Sequence, residues 1–187
     1  GMSEQKAEQL WKLIEPFAAY GFNKAHAASY GRVAYQTAYM KANFPVEYMS
    51  AVLTADSGDT EKISEIIHEC ERMGIEVLPP DINESFADFS VVPDKNQIRF
   101  GLTTIKNFGA GITEVIVEER KANGAYESLQ DFLTRIHDRN LNKKSLEALI
   151  CSGAFDAFER RGMLYKNVDN LLAFNREHVA GKESNQD

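Results

Sequence analysis

Two short stretches of this sequence combine glycine, cations and polar residues in patterns that suit phosphate binding. Residues 20–30, with the sequence YGFNKAHAASY, place Asn23, Lys24 and His26 at the start of a predicted helix. Lys24 carries its charge at any physiological pH, whereas His26 donates best to an anion when it is protonated. A solvated lysine beside a partly buried histidine is the alternative interpretation of the same residues.

The second stretch, residues 101–112 with the sequence GLTTIKNFGAGI, joins a short helix to a longer one through a glycine-rich turn. Gly109 and Gly111 can take positive φ and so allow a phosphate close to the main chain. The following helix adds unpaired N–H groups and the positive end of its dipole. Lys106 lies close enough in sequence to contact the same anion. An ordinary turn between helices is the alternative.

A weaker helical pair follows at residues 140–155, with the sequence NLNKKSLEALICSGAF. Lys143 and Lys144 stand at the start of its first helix. Tandem helical pairs can track a DNA duplex by contacting backbone phosphates instead of base edges. The two pairs together therefore favour a duplex-binding module, and a solvated helix start that carries lysines is the alternative for the second pair taken alone.

The charge of the chain is unevenly distributed. The net charge of −7 by itself argues against nucleic-acid binding. However, residues 56–88 contain ten acidic and two basic side chains, which accounts for all of it. Residues 135–166 contain seven basic and four acidic side chains. We therefore expect a polyanion to prefer the C-terminal half.

The composition is that of an ordinary globular protein. Hydrophobic residues make up 43% and charged residues 26% of the 187 positions, enough for two small modules. No apolar run is long enough to span a membrane, so we expect a cytoplasmic location. Cys70 and Cys151 have no metal-ligand spacing around them, which predicts buried free thiols. Motifs for catalysis or metal binding are missing from the sequence, so no catalytic residue and no metal ligand is expected.

Local signals predict where the helices begin and end. Leu10, Leu13 and Ile14 mark the apolar face of a first helix. Pro45 is predicted to open a later helix, because proline suits the first helical position. Asp59 or Thr60 should cap the next helix and Gly74 should end it; these three positions follow the residue preferences of helix termini.

The same periodicity predicts a mainly α chain with one small β-hairpin. The hairpin strands are placed at residues 89–92 and 97–100, on either side of a polar turn. The chain then divides into a helical module over residues 1–80, a linker with the hairpin over 81–100, a second helical module over 101–178 and a disordered tail over 179–187.

Several segments resemble the bacterial DNA polymerase III alpha subunits, the C-family replicative DNA polymerases. Besides residues 20–30, the resemblance lies in YQTAYMKANFPVEYM at 35–49, CERMGIEVLPPDIN at 70–83, the turn at 105–111 and LICSGAFD at 149–156. It implies that residues 1–80 are the C-terminal part of the fingers and that residues 101–178 are a tandem helix-hairpin-helix module. The chain is then a piece of a longer polymerase.

The resemblance also implies partners and roles. Asn23, Lys24 and His26 match the region that contacts the incoming deoxynucleoside triphosphate. Contacts to duplex DNA are assigned to residues of the two helical pairs: Lys106, Asn107, Gly109, Gly111, Lys143 and Lys144. The palm with its Mg²⁺ lies upstream in this family, so this piece is expected to hold no cofactor and not to polymerise by itself. The remainder of the polymerase and replisome subunits are further expected partners.

Two positions depart from the family pattern, and two other classes of protein remain open. Asn107 stands where a glycine is usual, but asparagine tolerates left-handed φ, so we expect the turn to survive with weaker phosphate contact. Ala25 stands where a serine is common, which leaves the charge of Lys24 unchanged. A free-standing helix-hairpin-helix adaptor and a purely structural helical protein are the alternatives.

Overall fold

The computed structural model describes residues 1–19 and 24–183. The described chain is mostly helical, which confirms the predicted mainly α fold. Its α-helices are α1 (Glu4–Ala19), α2 (Lys24–Asn43), α3 (Pro45–Ala55), α4 (Thr60–Arg72), α5 (Ala110–Asn123), α6 (Leu129–Arg135), α7 (Lys143–Ser152), α8 (Arg161–Lys166) and α9 (Val168–Glu183). Its strands are β1 (Glu76–Leu78), β2 (Ser90–Val91) and β3 (Gln97–Arg99), and a 3₁₀ turn spans Leu102–Thr104.

The predicted β-hairpin is present and belongs to a three-stranded sheet. β2 and β3 pair antiparallel, with Val91 opposite Ile98, while β1 pairs parallel with β3 on its other side. The parallel pair needs a long crossover, here the segment between β1 and β3. A local sequence pattern does not specify such a pairing, which is why β1 was not predicted as a partner of the hairpin.

The chain divides into two compact units, residues 1–45 and 46–187. In the first unit, α2 has no buried residue. The predicted apolar face of α1 is also exposed, because Leu10, Leu13 and Ile14 keep between 45% and 76% of their surface accessible. An apolar helical face therefore exists as predicted, but α1 and α2 alone do not cover it.

The second unit contains two hydrophobic cores. One joins α3 and α4 to the sheet through Leu53, Cys70 and Ile98, and the other is built by α5 to α9 around Phe132 and Leu149. The segment predicted as a linker contributes to both cores, because Phe89 and Ile98 lie in the first and Ile82 in the second. Residues 81–100 are therefore packed structure, and the functional limits of the predicted modules stay a prediction.

Two further expectations change. Cys70 is buried as predicted, but Cys151 is exposed, because it follows the buried pair Leu149 and Ile150 on the outward side of α7. Helix α9 continues to Glu183, into the predicted disordered tail. Residues 179–183 contain no proline, the residue that most disfavours a helix. Residues 184–187 lie outside the described residues.

A side chain of α5 and the main chain of the loop after it hold the segment that follows β1. The guanidinium of Arg120 donates to the carbonyl oxygens of Ile82 at 2.7 Å and of Ser85 at 3.0 Å. The amide of Asn83 donates to the carbonyl of Tyr126 at 2.9 Å and accepts from its N–H at 2.8 Å. These bonds satisfy main-chain groups that a loop buried against a core would otherwise leave unpaired. The loop is thereby held against the second core.

Candidate nucleic-acid interface

The helical pair around residues 101–112, called here the first hairpin, is anchored by apolar side chains on both sides of an exposed tip. Leu102, Ile105, Phe108 and Ile112 are buried in the core of α5 to α9. Lys106 and Asn107 lie between the buried residues Ile105 and Phe108. Lys106 and Asn107 are both exposed. The sequence thus folds into a turn whose polar tip faces solvent.

Asn107 supplies the left-handed residue of the turn. Its φ is +68°, one of two positive values at non-glycine positions among the described residues. Gly109 has a φ of −93°, and Gly111 is also outside the left-handed region. The positive φ that Gly109 and Gly111 could take is therefore not used, and the left-handed residue of the turn is Asn107, two positions before Gly109. Asparagine suits that place better than other residues with a Cβ.

The two glycines instead leave the main chain uncovered at the start of α5. A Cβ added to Gly109 would have no heavy atom within 4 Å, and one added to Gly111 would meet only the side-chain nitrogen of Asn140 at 4.0 Å. Gly109 is the N-cap of α5 and provides no side-chain cap. The first N–H groups of α5 therefore face an open surface, with the positive end of the helix dipole behind them.

An open groove of about 600 Å³ runs along this hairpin. Its other wall is formed by Ser57 and Gly58 of the loop between α3 and α4 and by Thr60, the first residue of α4. Acidic side chains near that loop are engaged in local bonds: Asp59 accepts the N–H groups of Glu61 and Lys62 as the N-cap of α4. The groove is roomy enough for a phosphodiester, and the exposed Lys106 lies on its wall.

The start of α7 is built differently from the start of α5. The side chain of Asn142 accepts the N–H groups of Lys144 at 3.0 Å and of Ser145 at 3.2 Å. In return, the hydroxyl of Ser145 accepts the N–H of Asn142 at 2.9 Å, which completes a reciprocal capping box. These N–H groups are therefore bonded within the protein, and the helix start offers an anion its two lysine side chains.

The predicted phosphate contact Lys143 has an ion-pair partner that the sequence did not reveal. Its ammonium lies 2.8 and 2.9 Å from the two carboxylate oxygens of Asp169, in the first turn of α9. The bonds to Asp169 raise the pKa of Lys143. Lys144, the neighbouring candidate, is exposed. The partner lies on a separate helix, so neither spacing nor periodicity could have identified it.

Another cation sits at the turn after α7. Arg161 makes a bidentate contact with Asp156, with nitrogen–oxygen distances of 2.8 and 2.6 Å, and donates to the carbonyl of Cys151 at 3.2 Å. This pairing lowers the pKa of Asp156 and raises that of Arg161. Gly153 takes a φ of +90° beneath the guanidinium. The sequence analysis did not predict the Arg161–Asp156 ion pair. The signal was an aspartate and an arginine five residues apart, shortly after a glycine.

The triphosphate candidates lie in the first unit. Lys24 and His26 are exposed in the first turn of α2, which contains no acidic residue. The His26 ring packs on Tyr30, with 4.3 Å between centroids. Asn23 falls within residues 20–23, which lie outside the described residues. Their assignment to a nucleotide stays a prediction.

The residues that the structure describes, 1–19 and 24–183, contain neither a group of metal-ligating side chains nor a membrane-spanning helix. In that part of the chain, no three His, Cys, Asp or Glu side chains are arranged to hold a metal ion. The helices described there are all too short or too polar to cross a membrane.

Comparison with known proteins identifies relatives of this arrangement. A family model described as a helix-hairpin-helix motif matches residues 74–163. The DNA polymerase III subunit alpha of Thermus aquaticus is 45% identical over 177 residues, which is 95% of this chain and 14% of that protein. Those of Chlamydia trachomatis and Borreliella burgdorferi are 48% and 43% identical over 95% and 100% of this chain. The chain thus spans 14–16% of the length of these relatives.

Proposed function

Over nearly its whole length this chain is homologous to one segment of the DNA polymerase III alpha subunits, and from that relationship we propose that it holds duplex DNA by its phosphate backbone within a replicative DNA polymerase. The observation that carries this proposal is the uncovered main chain at the start of α5, beside the exposed Lys106. A phosphate oxygen there accepts hydrogen bonds from the main-chain N–H groups. It is also attracted by the helix dipole and by the ammonium of Lys106.

This mode of binding positions DNA without reading its sequence. Main-chain N–H groups and lysines contact phosphates, which are the same at every base pair. In polymerase chemistry, the protein acts mainly by positioning reactants and neutralising charge. Within the whole enzyme, this segment would hold the duplex while the reaction proceeds in the palm with its Mg²⁺, outside this chain. The rest of the polymerase and the replisome subunits are its proposed protein partners.

A salt titration of duplex binding tests the proposal. For this chain and a short fluorescein-labelled duplex, the logarithm of the binding constant should fall linearly with the logarithm of salt concentration. Lys106→Ala should reduce that slope by about 0.9, because one phosphate contact is lost. The matched control is Lys95→Ala, since Lys95 is an exposed lysine in the β2–β3 turn, away from the groove. Equal slopes for the two variants, or binding that ignores salt, would refute the assignment.

A second variant makes the same test independent of charge. Gly111→Ala adds a methyl group where the protein leaves ordinary space, and alanine is a better helix former than glycine. The melting temperature should therefore hold or rise while duplex affinity falls, because the added methyl group narrows the approach of a phosphate to the main chain at Gly111. A loss of affinity with a raised melting temperature cannot be attributed to unfolding.

We also propose that Lys24 and His26 contact the incoming deoxynucleoside triphosphate, with Asn23 beside them. Support comes from their residue types at a helix start and from their exposure. In the intact polymerase, Lys24→Ala should raise the KM for the nucleotide roughly tenfold, the cost of one charge-assisted contact, and spare duplex affinity. Lys12→Ala, which removes another exposed lysine of the first unit, is the control. Equal loss of nucleotide and duplex affinity would mean that Lys24 is structural.

A further inference from the structure

The two helix starts assigned to DNA differ in how their cations are engaged, and we propose that Asp169 attenuates duplex binding by holding the Lys143 ammonium in competition with phosphate. This inference rests on the proposed duplex-binding function. It assigns Asp169 a role in setting the affinity of the second helical pair. At the starts of both α5 and α7, the ligand is a phosphodiester group of DNA.

The geometry places Asp169 where it can compete. Both of its carboxylate oxygens bond the same ammonium, at 2.8 and 2.9 Å. Asp169 lies in the first turn of α9, where the helix dipole favours a negative side chain. Lys143 is the first residue of α7. The contact therefore joins the starts of two helices through one exposed pair.

Lys143 matters because α7 has few other ways to bind an anion. Asn142 occupies the N–H groups of Lys144 and Ser145, whereas the start of α5 has no side-chain cap. Phosphate binding at α7 then depends largely on the lysine side chains. Pairing one of the two with a carboxylate removes a large part of the attraction at this helix start.

The pair is exposed enough to be broken by DNA. The side chains of Lys143 and Asp169 keep 56% and 78% of their surface accessible. Exposed ion pairs are weak and screened by salt, so a polyanion can displace the carboxylate. Asp169 should therefore reduce affinity without abolishing it. Glu147 adds to the negative field at Lys143 and is unchanged in the variants below.

Asp169→Asn should tighten duplex binding by roughly three- to eightfold at about 0.1 M salt, the gain of one further phosphate contact. Its matched control is Glu177→Gln, because Glu177 is an exposed acid on the same helix. Glu177 lies about 12 Å further along α9, beyond one Debye length of about 10 Å at this salt concentration. The control should therefore change affinity much less. An Asp169→Asn effect no larger than that of Glu177→Gln overturns the inference.

A double-mutant comparison tests the pairing itself. Lys143→Ala should lower the salt slope by about 0.9 in the Asp169→Asn background and by clearly less in the wild-type background. The same change in both backgrounds overturns the inference. Lys106→Ala separates the two proposals: if it lowers the slope while Asp169→Asn does nothing, only the role of Asp169 fails. If no variant binds duplex, both proposals fail, and circular dichroism melting checks that each variant is folded.

Discussion

Replacing Gly101 with alanine is expected to lower the free energy of unfolding by about 3 kcal/mol or more, the upper range for overpacking a closed site. A Cβ at this position would lie 2.5 Å from the carbonyl oxygen of Ala87 and 2.5 Å from the carbonyl carbon of Asp88. Both are main-chain atoms, so no side-chain rotation can relieve the contact. The φ of Gly101 is −78°, which any residue adopts, so the effect is purely steric.

Moving the main chain at Ala87 would also break the bonds that start the first hairpin. The carbonyl of Ala87 accepts the N–H of Thr103 at 3.1 Å and its hydroxyl at 2.7 Å, and the carbonyl of Phe86 accepts the N–H of Leu102 at 2.9 Å. Loss of these bonds would loosen the turn that leads to the proposed phosphate site. Gly101→Ala should therefore reduce both stability and duplex affinity.

Urea denaturation followed by circular dichroism measures the effect. Gly162→Ala is the matched control, because a Cβ there would have no heavy atom within 4 Å and the position lies in α8. We expect that variant to be as stable as the wild type or slightly more stable. A Gly101→Ala protein with wild-type stability would show that the loop at Ala87 and Asp88 can move away without cost.

Replacing Arg120 with methionine is expected to cost about 2 to 4 kcal/mol of folding free energy. Arg120 is only 9% exposed. Its guanidinium donates two hydrogen bonds, to the carbonyls of Ile82 and Ser85 in the loop after β1. Methionine keeps much of the apolar stem but removes both donors. The gain from no longer burying a charge offsets part of the loss, because burial already lowers the pKa of Arg120. The unpaired carbonyls should dominate.

Arg72→Met serves as the control, since the Arg72 side chain is 81% exposed and its ion pair with Glu69 joins residues three apart on a helix. Such pairs contribute about 0.2–0.5 kcal/mol. Amide hydrogen exchange adds a local measurement: residues 82–86 should lose protection first in Arg120→Met. Equal destabilisation by the two variants would mean that the Arg120 bonds add nothing beyond packing.

Elements set by neighbouring residues were predicted well. Pro45 is the first residue of α3, Asp59 caps α4, and Gly74 follows the end of α4 with a φ of +70°. Each depends on the chemistry of one helix turn, which the sequence displays directly. The same holds for Asn107, whose tolerance of left-handed φ was anticipated and is used in the turn. The turn at residues 105–109 was therefore predictable from its residue types, whereas its role in binding phosphate stays a prediction.

Pairings between distant segments were not predictable in this way. The parallel contact of β1 with β3, the bonds from Arg120 to the loop at Ile82 and the ion pair of Lys143 with Asp169 join residues far apart along the chain. Many side chains of suitable chemistry compete for each such contact. Which pair meets depends on the path of the whole chain, and one sequence does not specify that path by local rules.

By itself, the sequence determined that this protein is mainly helical, that its acidic and basic residues are separated, and that a glycine-rich turn opens a helix beside Lys106. Those properties follow from residue type and spacing within a few positions. The tertiary structure decided which helix start is open to an anion. At α5 a Cβ on Gly109 would meet no heavy atom within 4 Å and one on Gly111 only the side-chain nitrogen of Asn140. At α7 an internal cap satisfies the N–H groups of Lys144 and Ser145, and Asp169 from another helix holds Lys143. The physical reason is that an N–H group or an ammonium can bind a ligand only when no other group already holds its hydrogen bonds. The groups that compete for those bonds are brought there by the folded chain.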